Sequence, residues 1–465
     1  MRKIICCVLA VAGMLVLVAA ASVVKLKGSQ ATGSPSGEDS QGQAVESAAG
    51  NLPILTVDTA GAQIAKETAI EATLSVIDGY EQNSADEEPV FTSGMTIKYR
   101  GASSYDVFDK RSYRIKLYRD SGKSLEYPLL GMGEHSEWVL YGPFLDRSLV
   151  RNRLVYGLAR EMAVWSPDTR YCELYVDGAY QGIYLAVEPV TNGASRLNLY
   201  EFGLITGETA YLLKRDRTGT EEHVIESYGT VAGKTDNELS IAYLAASKLT
   251  SAQQRWIEQD VSAFERALYS EDFTDEQKGY PAYIDVDSFV DYYLINELAM
   301  IPDATHLSTY VYKDIGGKLK MAVWDFNNGF NNYQWTNYHT DEFFLADGNW
   351  YDQLLKDTAF VDKVVARYRQ LRRQAWSDER LLGLIDENVE SLGDAVDRNF
   401  ALWGYTFKDN LLSRDDEGES RDPGSFEEAV AMLKKCVTER TAFLDEHIDD
   451  LYDIGSGSAE GKEEQ

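Results

Sequence analysis

The hydrophobic pattern of the chain changes from strand-like to helix-like near its middle, and this change most constrains the fold. Between residues 52 and 213, short runs of β-branched and aromatic residues alternate with turn-forming residues, as expected for strands. From about residue 240, most apolar residues recur at the spacing of helices. Strands followed by helices predict an α+β fold, with a β-rich N-terminal part and an α-rich C-terminal part.

Two hairpins and one early helix can be placed within this outline. The dipeptide Asp177-Gly178 separates two strand-like runs and predicts a tight β-turn. The dipeptide Gly316-Gly317 predicts a second hairpin. Apolar residues at helical spacing predict a helix over 148–163, between the strands of the first part.

The first 27 residues are expected to direct the chain to a membrane. An uncharged apolar run from Ile4 to Val24 follows Arg2 and Lys3. Its length is close to the roughly 20 residues of a bilayer span, although small residues near its end would also permit cleavage. We therefore expect residues 1–27 to be a signal anchor or a signal peptide, with the body on the extracytoplasmic side.

Composition separates a folded body from its flanks. Residues 28–50 are rich in Gly, Ser, Gln and Ala, which predicts a flexible linker. Residues 453–465 are small and acidic, which predicts a disordered tail. The folded domain is therefore expected to span residues 51–452.

The charge of the chain excludes one class of partner. It has 45 Lys and Arg against 75 Asp and Glu, a net charge of −30. Nucleic-acid binding requires a basic surface, so we expect no nucleic-acid partner. Any phosphate chemistry must then depend on a local group of cations or on a metal ion.

The first candidate site is a group of basic and small residues early in the chain. It consists of Arg100, Gly101, Ser103, Ser104, Lys110, Arg114 and Lys116. Side chains alternate along a strand, so Arg114 and Lys116 share one face. Cations on one face, after a Gly/Ser turn, could hold a polyphosphate. The plainer interpretation is a solvated face that balances the acidic surface.

A second candidate lies at the start of the early helix. Asp146 could cap this helix through its carboxylate. Arg151 and Asn152 are polar within an otherwise amphipathic helix. They could face a ligand site or simply face water.

A third candidate pairs two acids across the second hairpin. Asp325 follows an apolar strand and precedes a Gly/Asn-rich turn, and Asp303 lies upstream of the hairpin. An acid at the end of a buried strand needs a partner, and carboxylates suit Mg²⁺. The two could serve phosphoryl transfer, or act as acid and base in glycoside cleavage. Each alone could also be a turn cap or one half of an ion pair.

Several sequence blocks, in order, resemble those of the CotH-type kinases, a family named for a bacterial spore-coat protein. The blocks are RGASSYDVFDKRSYRIKLY from Arg100, LLGMGEHSEWVLYGPFLDRSLVRNRLVYGLAREM from Leu129 and STYVYKDIGGKLKMAVWDFNNGF from Ser308. The resemblance covers roughly residues 52–451. It implies a divergent protein-kinase-like fold that transfers phosphate from ATP to Ser or Thr hydroxyls, with Mg²⁺ or Mn²⁺.

The resemblance also implies roles for individual residues. Asp303 matches the catalytic-loop acid that orients the acceptor hydroxyl, and Asp325 matches the metal-binding acid. Lys116, with Arg114 beside it, is the expected phosphate contact, and Lys110 is its competitor. The remaining candidate nucleotide contacts are the turn residues Arg100, Gly101, Ser103 and Ser104, together with Arg151 and the hinge residue Glu188.

Two positions depart from the family pattern. Ser308 stands where the family supplies an Asn as a second metal ligand, and a hydroxyl is a weaker ligand. Asn327 stands where an acid is often found. These departures leave room for a catalytically weak or inactive module.

Three functions therefore compete. The first is a kinase at the bacterial cell membrane, or secreted if cleaved, with ATP and an envelope protein as partners. The second is a non-catalytic module that binds a wall, surface or spore-coat partner. The third is a carbohydrate-active hydrolase, in which the aromatic residues of 333–339 would stack on sugars.

Overall fold

The structure, a computed structural model, describes residues 50–79, 82–200, 208–217, 223–245 and 248–456. The expected targeting segment 1–27 and nearly all of the expected linker lie outside the described residues. Of the expected tail, residues 457–465 also lie outside them. The last described helix runs to Ser456, four residues past the boundary expected at residue 452.

The N-terminal part is a closed β-barrel with the strand order β1-β2-β3-β4-β5-β7-β6. Strand β6 pairs in parallel with β1, which closes the barrel, and the other neighbours pair antiparallel. The strands are β1 Ile54–Asp58, β2 Ile70–Ile77, β3 Phe91–Arg100, β4 Ser112–Tyr118, β5 Glu137–Tyr141, β6 Thr169–Val176 and β7 Ala179–Val187.

Strand alternation fills the barrel interior. On β4, Tyr113, Ile115 and Leu117 are buried, whereas Arg114 and Lys116 are exposed, as the sequence predicts. Each fully buried aliphatic side chain contributes about 1.5–3 kcal/mol. One face of β4 therefore belongs to the core of the barrel, and its basic face belongs to the outside.

A second sheet has the strand order β12-β11-β8-β10-β9. Its strands are β8 Tyr211–Arg215, β9 Val224–Ile225, β10 Leu239–Tyr243, β11 Thr309–Lys313 and β12 Lys320–Ala322. Both predicted hairpins are confirmed, joining β6 to β7 and β11 to β12. At the first, Asp177 and Gly178 have φ of 50° and 78°, as a tight hairpin turn requires.

Helices dominate the C-terminal part, so the structure has the predicted α+β composition. The helices are α1 Ser103–Val107, α2 Arg151–Ala159, α3 Tyr228–Val231, α4 Ser251–Leu268, α5 Val286–Ala299, α6 Tyr351–Leu354, α7 Thr358–Arg372, α8 Asp378–Leu392, α9 Ala395–Trp403, α10 Phe426–His447 and α11 Leu451–Ser456. Short 3₁₀ segments lie at Leu129–Gly131, Tyr280–Ala282, Gly404–Lys408 and Ile448–Asp450.

The early helix is shorter than its apolar spacing predicts. Leu149 has a φ of 66°, which is incompatible with a right-handed helix, so α2 begins only at Arg151. It ends at Ala159, and Met162 lies beyond it. Main-chain geometry at Leu149 therefore overrides the spacing of the leucines.

Helix α5 forms the centre of the helical part and leads into the candidate site. Every residue from Ser288 to Ala299 is buried, as expected for a helix that is packed on all sides. Asp285 caps its first turn by accepting a hydrogen bond from the Ser288 amide. The helix ends at Met300, whose φ of 55° turns the chain into the loop that carries Asp303.

Within the described ranges, which begin at residue 50, no helix combines the length and apolar character that a membrane span requires.

Candidate functional site

A cleft of about 170 Å³ is lined both by the barrel and by the helical part with its sheet. The barrel side contributes the turn after β3 and the end of β5. The other side contributes the loops that follow β8, α5 and β12. The lining includes Gly101 and the charged and polar residues Arg100, Ser104, Lys110, Ser112, Tyr141, Asp216, Arg217, Asp303, Ser308, Tyr310, Asp325, Asn327, Asn328, Tyr333 and Gln334.

The structure brings Asp303 and Asp325 to the same cleft. The hydroxyl of Tyr333 donates to Asp303 Oδ2 at 3.4 Å, and the hydroxyl of Ser308 lies 3.5 Å from Asp325 Oδ2. Desolvation by the surrounding protein raises the pKa of both carboxyls. Ser308, the position that departs from the family pattern, therefore lies beside Asp325.

Asp216 is a third acid of the cleft, and sequence reasoning missed it. It directly follows strand β8, just as Asp325 closely follows β12, and this shared position was the available signal. Its negative charge contributes to the raised pKa of both Asp303 and Asp325. The nearby cations Arg217 and Arg100 oppose this effect at Asp303 and Asp325 respectively.

The carboxylates of the cleft suit a metal ion that completes its coordination with waters and substrate phosphates. No cluster of three or more His, Cys, Asp or Glu side chains in the described ranges is arranged to hold an ion. Mg²⁺ is commonly bound by one or two carboxylates together with waters and substrate phosphates. The carboxylate of Asp325 fits this pattern, because desolvation and the neighbouring acids disfavour its charged form, which a bound cation would favour.

Lys110 is a buried cation in the cleft wall. Its side chain is only 3% exposed, and its ammonium donates to Asn399 Oδ1 of helix α9 at 2.8 Å. It also lies over the rings of Tyr184 and Trp403. Burial lowers the pKa of this ammonium well below its ordinary value. The hydrogen-bond partner of this buried ammonium is a neutral amide oxygen, so a bound anion would stabilise its positive charge.

Arg114 and Lys116 lie elsewhere. Both bind Glu137 of the neighbouring strand β5, and Lys116 Nζ is 3.1 Å from its carboxylate. Lys116 does not line the cleft, and Arg114 lines a neighbouring cavity instead. The barrel causes this placement, because the basic face of β4 points outward. Their position does not support the expected phosphate contact at Lys116.

Arg151 and Glu188 are also held outside the cleft lining. Arg151 is buried, pairs with Asp146 at 2.5 Å and donates to the Gly329 carbonyl at 2.9 Å. Glu188 is buried and pairs with Arg196 at 2.6 Å. Both side chains therefore bind other protein groups and do not line the cleft.

The turn after β3 occupies the opposite wall. Arg100, Gly101 and Ser104 line the cleft, and Arg100 lies over the Trp324 ring. Ser103 begins helix α1. Gly101 has a φ of 108°, and a Cβ there would overlap the Ser104 hydroxyl, so this turn requires glycine.

The loops that carry the acids have an unusual backbone. Thr305, Ser308 and Asp325 adopt positive φ values of 72°, 48° and 70°. Such conformations cost on the order of 1–3 kcal/mol each in non-glycine residues and cluster at functional sites. The strained backbone therefore marks the same part of the cleft as the acids do.

These features define an α+β protein in which acids and cations from two parts of the chain converge on one cleft. The family model described as CotH kinase protein matches residues 97–444, and the chain belongs to this family. The matched region contains the whole described lining of the cleft, from Arg100 to Trp335. A search of the curated proteins found no match.

Proposed function

We propose that the protein is a metal-dependent kinase that transfers the γ-phosphate of ATP to Ser or Thr hydroxyls of envelope proteins. The observation that carries this proposal is the meeting of Asp303 and Asp325 with Lys110 and Arg100 in one cleft. Acids suit the metal and the acceptor hydroxyl, whereas cations suit phosphates. Membership of the CotH kinase family supports this assignment. A divergent protein-kinase-like fold is part of the proposal.

The acids take different roles in this proposal. Asp325 would hold Mg²⁺ or Mn²⁺, with the Ser308 hydroxyl beside it. When bound, the metal would offset charge on the phosphate oxygens. Asp303 would orient the acceptor hydroxyl and accept its proton, and its raised pKa favours proton acceptance. The Tyr333 hydroxyl, 3.4 Å from Asp303 Oδ2, would help to orient the Asp303 carboxylate.

The cations and a neighbouring cavity would hold the nucleotide. Lys110, Arg100 and the Gly101 turn would contact the phosphates. A second cavity shares Arg100 and Trp324 with the cleft and is also lined by residues 189–191. This is the cavity that Arg114 lines. We assign it to the base and ribose, so Arg114 and the chain segment directly after Glu188 would lie next to that part of the nucleotide and not at its phosphates.

One observation favours a second candidate. Ser308 supplies a hydroxyl where the family pattern has an amide oxygen, and it lies 3.5 Å from Asp325. Weak metal binding would leave a kinase-like module that recognises a cell-surface, wall or spore-coat partner. In both cases, residues 1–27 would hold the body at the outer side of a bacterial membrane or direct its secretion.

The test is transfer of label from γ-labelled ATP by the purified full-length chain in detergent. Mg²⁺ and Mn²⁺ are compared, with extracted envelope proteins as acceptors, and labelled sites are read by mass spectrometry. Label on Ser or Thr that depends on Asp303 supports the kinase. Absence of label with either metal, together with no thermal shift by ATP, supports the binding module.

Replacing Lys110 with methionine should weaken ATP binding by about tenfold or more, because a charge-assisted phosphate contact is lost. The melting temperature without ATP should not fall, because the substitution removes a buried charge and keeps a side chain of similar volume. Isothermal titration calorimetry and thermal unfolding measure the two effects.

Lys116→Met is the matched control, because it removes the same charge from the outer face of β4. We expect its ATP affinity to stay within about twofold of wild type, because Lys116 lines neither the cleft nor the second cavity and its exposed charge is screened by solvent. Equal losses for both variants would contradict the assignment of Lys110.

A further inference from the structure

Helix α2 bonds directly to the backbone of the loop that carries Asp325. The Asp325 amide donates to the Tyr156 hydroxyl at 3.0 Å, and the Phe326 amide donates to Asn152 Oδ1 at 2.8 Å. The Arg151 guanidinium donates to the Gly329 carbonyl at 2.9 Å. One helix therefore holds three main-chain groups of this loop.

The helix side chains that make these contacts are buried, and the start of the helix is itself fixed. Arg151, Asn152 and Tyr156 are at most 6% exposed. Asn152 and Tyr156 are four residues apart, so they lie on one face of the helix. Asp146 fixes the start of that helix, since its carboxylate accepts from the Arg151 amide at 2.9 Å and pairs with the Arg151 guanidinium.

We propose that helix α2 holds Asp325 in its left-handed conformation, which makes Tyr156, Asn152 and Arg151 positioning residues of the cleft. A φ of 70° is less favourable for an aspartate than right-handed backbone, although aspartate and asparagine tolerate it better than most residues, so contacts from the surrounding structure stabilise it. The Tyr156 hydroxyl satisfies the amide of Asp325 itself. Without that acceptor, the backbone is free to relax, and the carboxylate moves with it.

The aromatic surroundings explain why the hydroxyl can be tested separately from the ring. The Tyr156 ring lies 6.1 Å from the Trp324 ring and 5.6 Å from the Phe326 ring, centroid to centroid. Tyr156→Phe keeps these ring contacts and removes only the hydroxyl. The substitution therefore changes the hydrogen bond to Asp325 while it preserves the packing of the loop.

The first readout is hydrogen–deuterium exchange of the segment 323–330, measured on the full chain without metal or ATP. We expect several-fold faster exchange in Tyr156→Phe. The second readout, which rests on the proposed kinase function, is the Mn²⁺ concentration that gives half-maximal transfer. It should rise about tenfold, the usual effect of removing a group that orients a metal ligand.

Tyr351→Phe is the matched control. It removes another buried hydroxyl, which donates to the Phe289 carbonyl of α5 at 2.9 Å and bonds neither to α2 nor to the loop. This variant should leave exchange in 323–330 and the Mn²⁺ dependence unchanged. Asn152→Ala provides a second variant with an independent contact to the loop, should Tyr156→Phe fail to fold.

Unchanged exchange in 323–330 for both Tyr156→Phe and Asn152→Ala would overturn the proposal. So would faster exchange in the Tyr351→Phe control, because the effect would then be general loosening. If wild type transfers no phosphate, the kinase proposal fails, and the exchange measurement alone still decides whether α2 positions Asp325.

Discussion

Replacement of Asp325 with asparagine is expected to lower phosphate transfer by about a thousandfold or more, which corresponds to roughly 4 kcal/mol of lost transition-state stabilisation. The substitution removes the charge that we assign to metal binding and keeps the size of the side chain. Asparagine also tolerates the left-handed backbone that Asp325 adopts. The variant should therefore fold normally, so the loss can be assigned to chemistry.

Asp314→Asn is the control for this experiment. Asp314 lies in the turn between β11 and β12, and its carboxylate accepts from the Tyr200 and Ile315 amides, away from the cleft. We expect its transfer rate to match that of wild type. Transfer by Asp325→Asn at more than about one tenth of the wild-type rate would contradict the role of Asp325.

Replacement of Arg440 with alanine is expected to lower the free energy of unfolding by about 3–5 kcal/mol, because it leaves a buried carboxylate without its cation. Arg440 and Glu297 pair at 2.7 Å with side chains that are 0% and 1% exposed. The same guanidinium donates to the Thr340 and Glu342 carbonyls, and Glu297 accepts from the Phe344 amide. The pair therefore ties α10 and α5 to the segment 340–345.

Urea-induced unfolding followed by tryptophan fluorescence measures this effect. Arg369→Ala is the control, because Arg369 pairs with Asp449 at the surface, where the two side chains are 52% and 56% exposed. Exposed pairs contribute about 0–1 kcal/mol, so this variant should be nearly as stable as wild type. Similar losses in the two variants would show that burial of the Arg440 pair is not the cause.

The local elements of the fold could be predicted from sequence because they depend on local patterns. The alternation on β4, the turn at Asp177-Gly178 and the hairpin at Gly316-Gly317 follow from side-chain alternation and glycine geometry. The helix boundary at Arg151 could not be predicted. It depends on the positive φ of Leu149, at a position where the leucine spacing still favours helix.

The sequence positions of the cleft acids predict that they lie in loops, but not that they converge. Asp325 and Asp216 both follow strands, and Asp303 follows the central helix, so their sequence positions already favour loops at strand and helix ends. Their convergence is a property of the tertiary structure. Strand β8 lies beside β11 in the second sheet, and this pairing brings Asp216 near the other two.

The basic residues show what the sequence alone determined and what it did not. Alternation placed Arg114 and Lys116 on one face of β4, but closure of the barrel decided that this face points outward and that Lys110 enters the cleft. Likewise, its polarity within an amphipathic helix made Arg151 a candidate site residue, but the sequence did not indicate its hydrogen-bond acceptor, the Gly329 carbonyl, which lies 178 positions away. Local patterns fix which groups share a face, and only long-range packing fixes what that face meets.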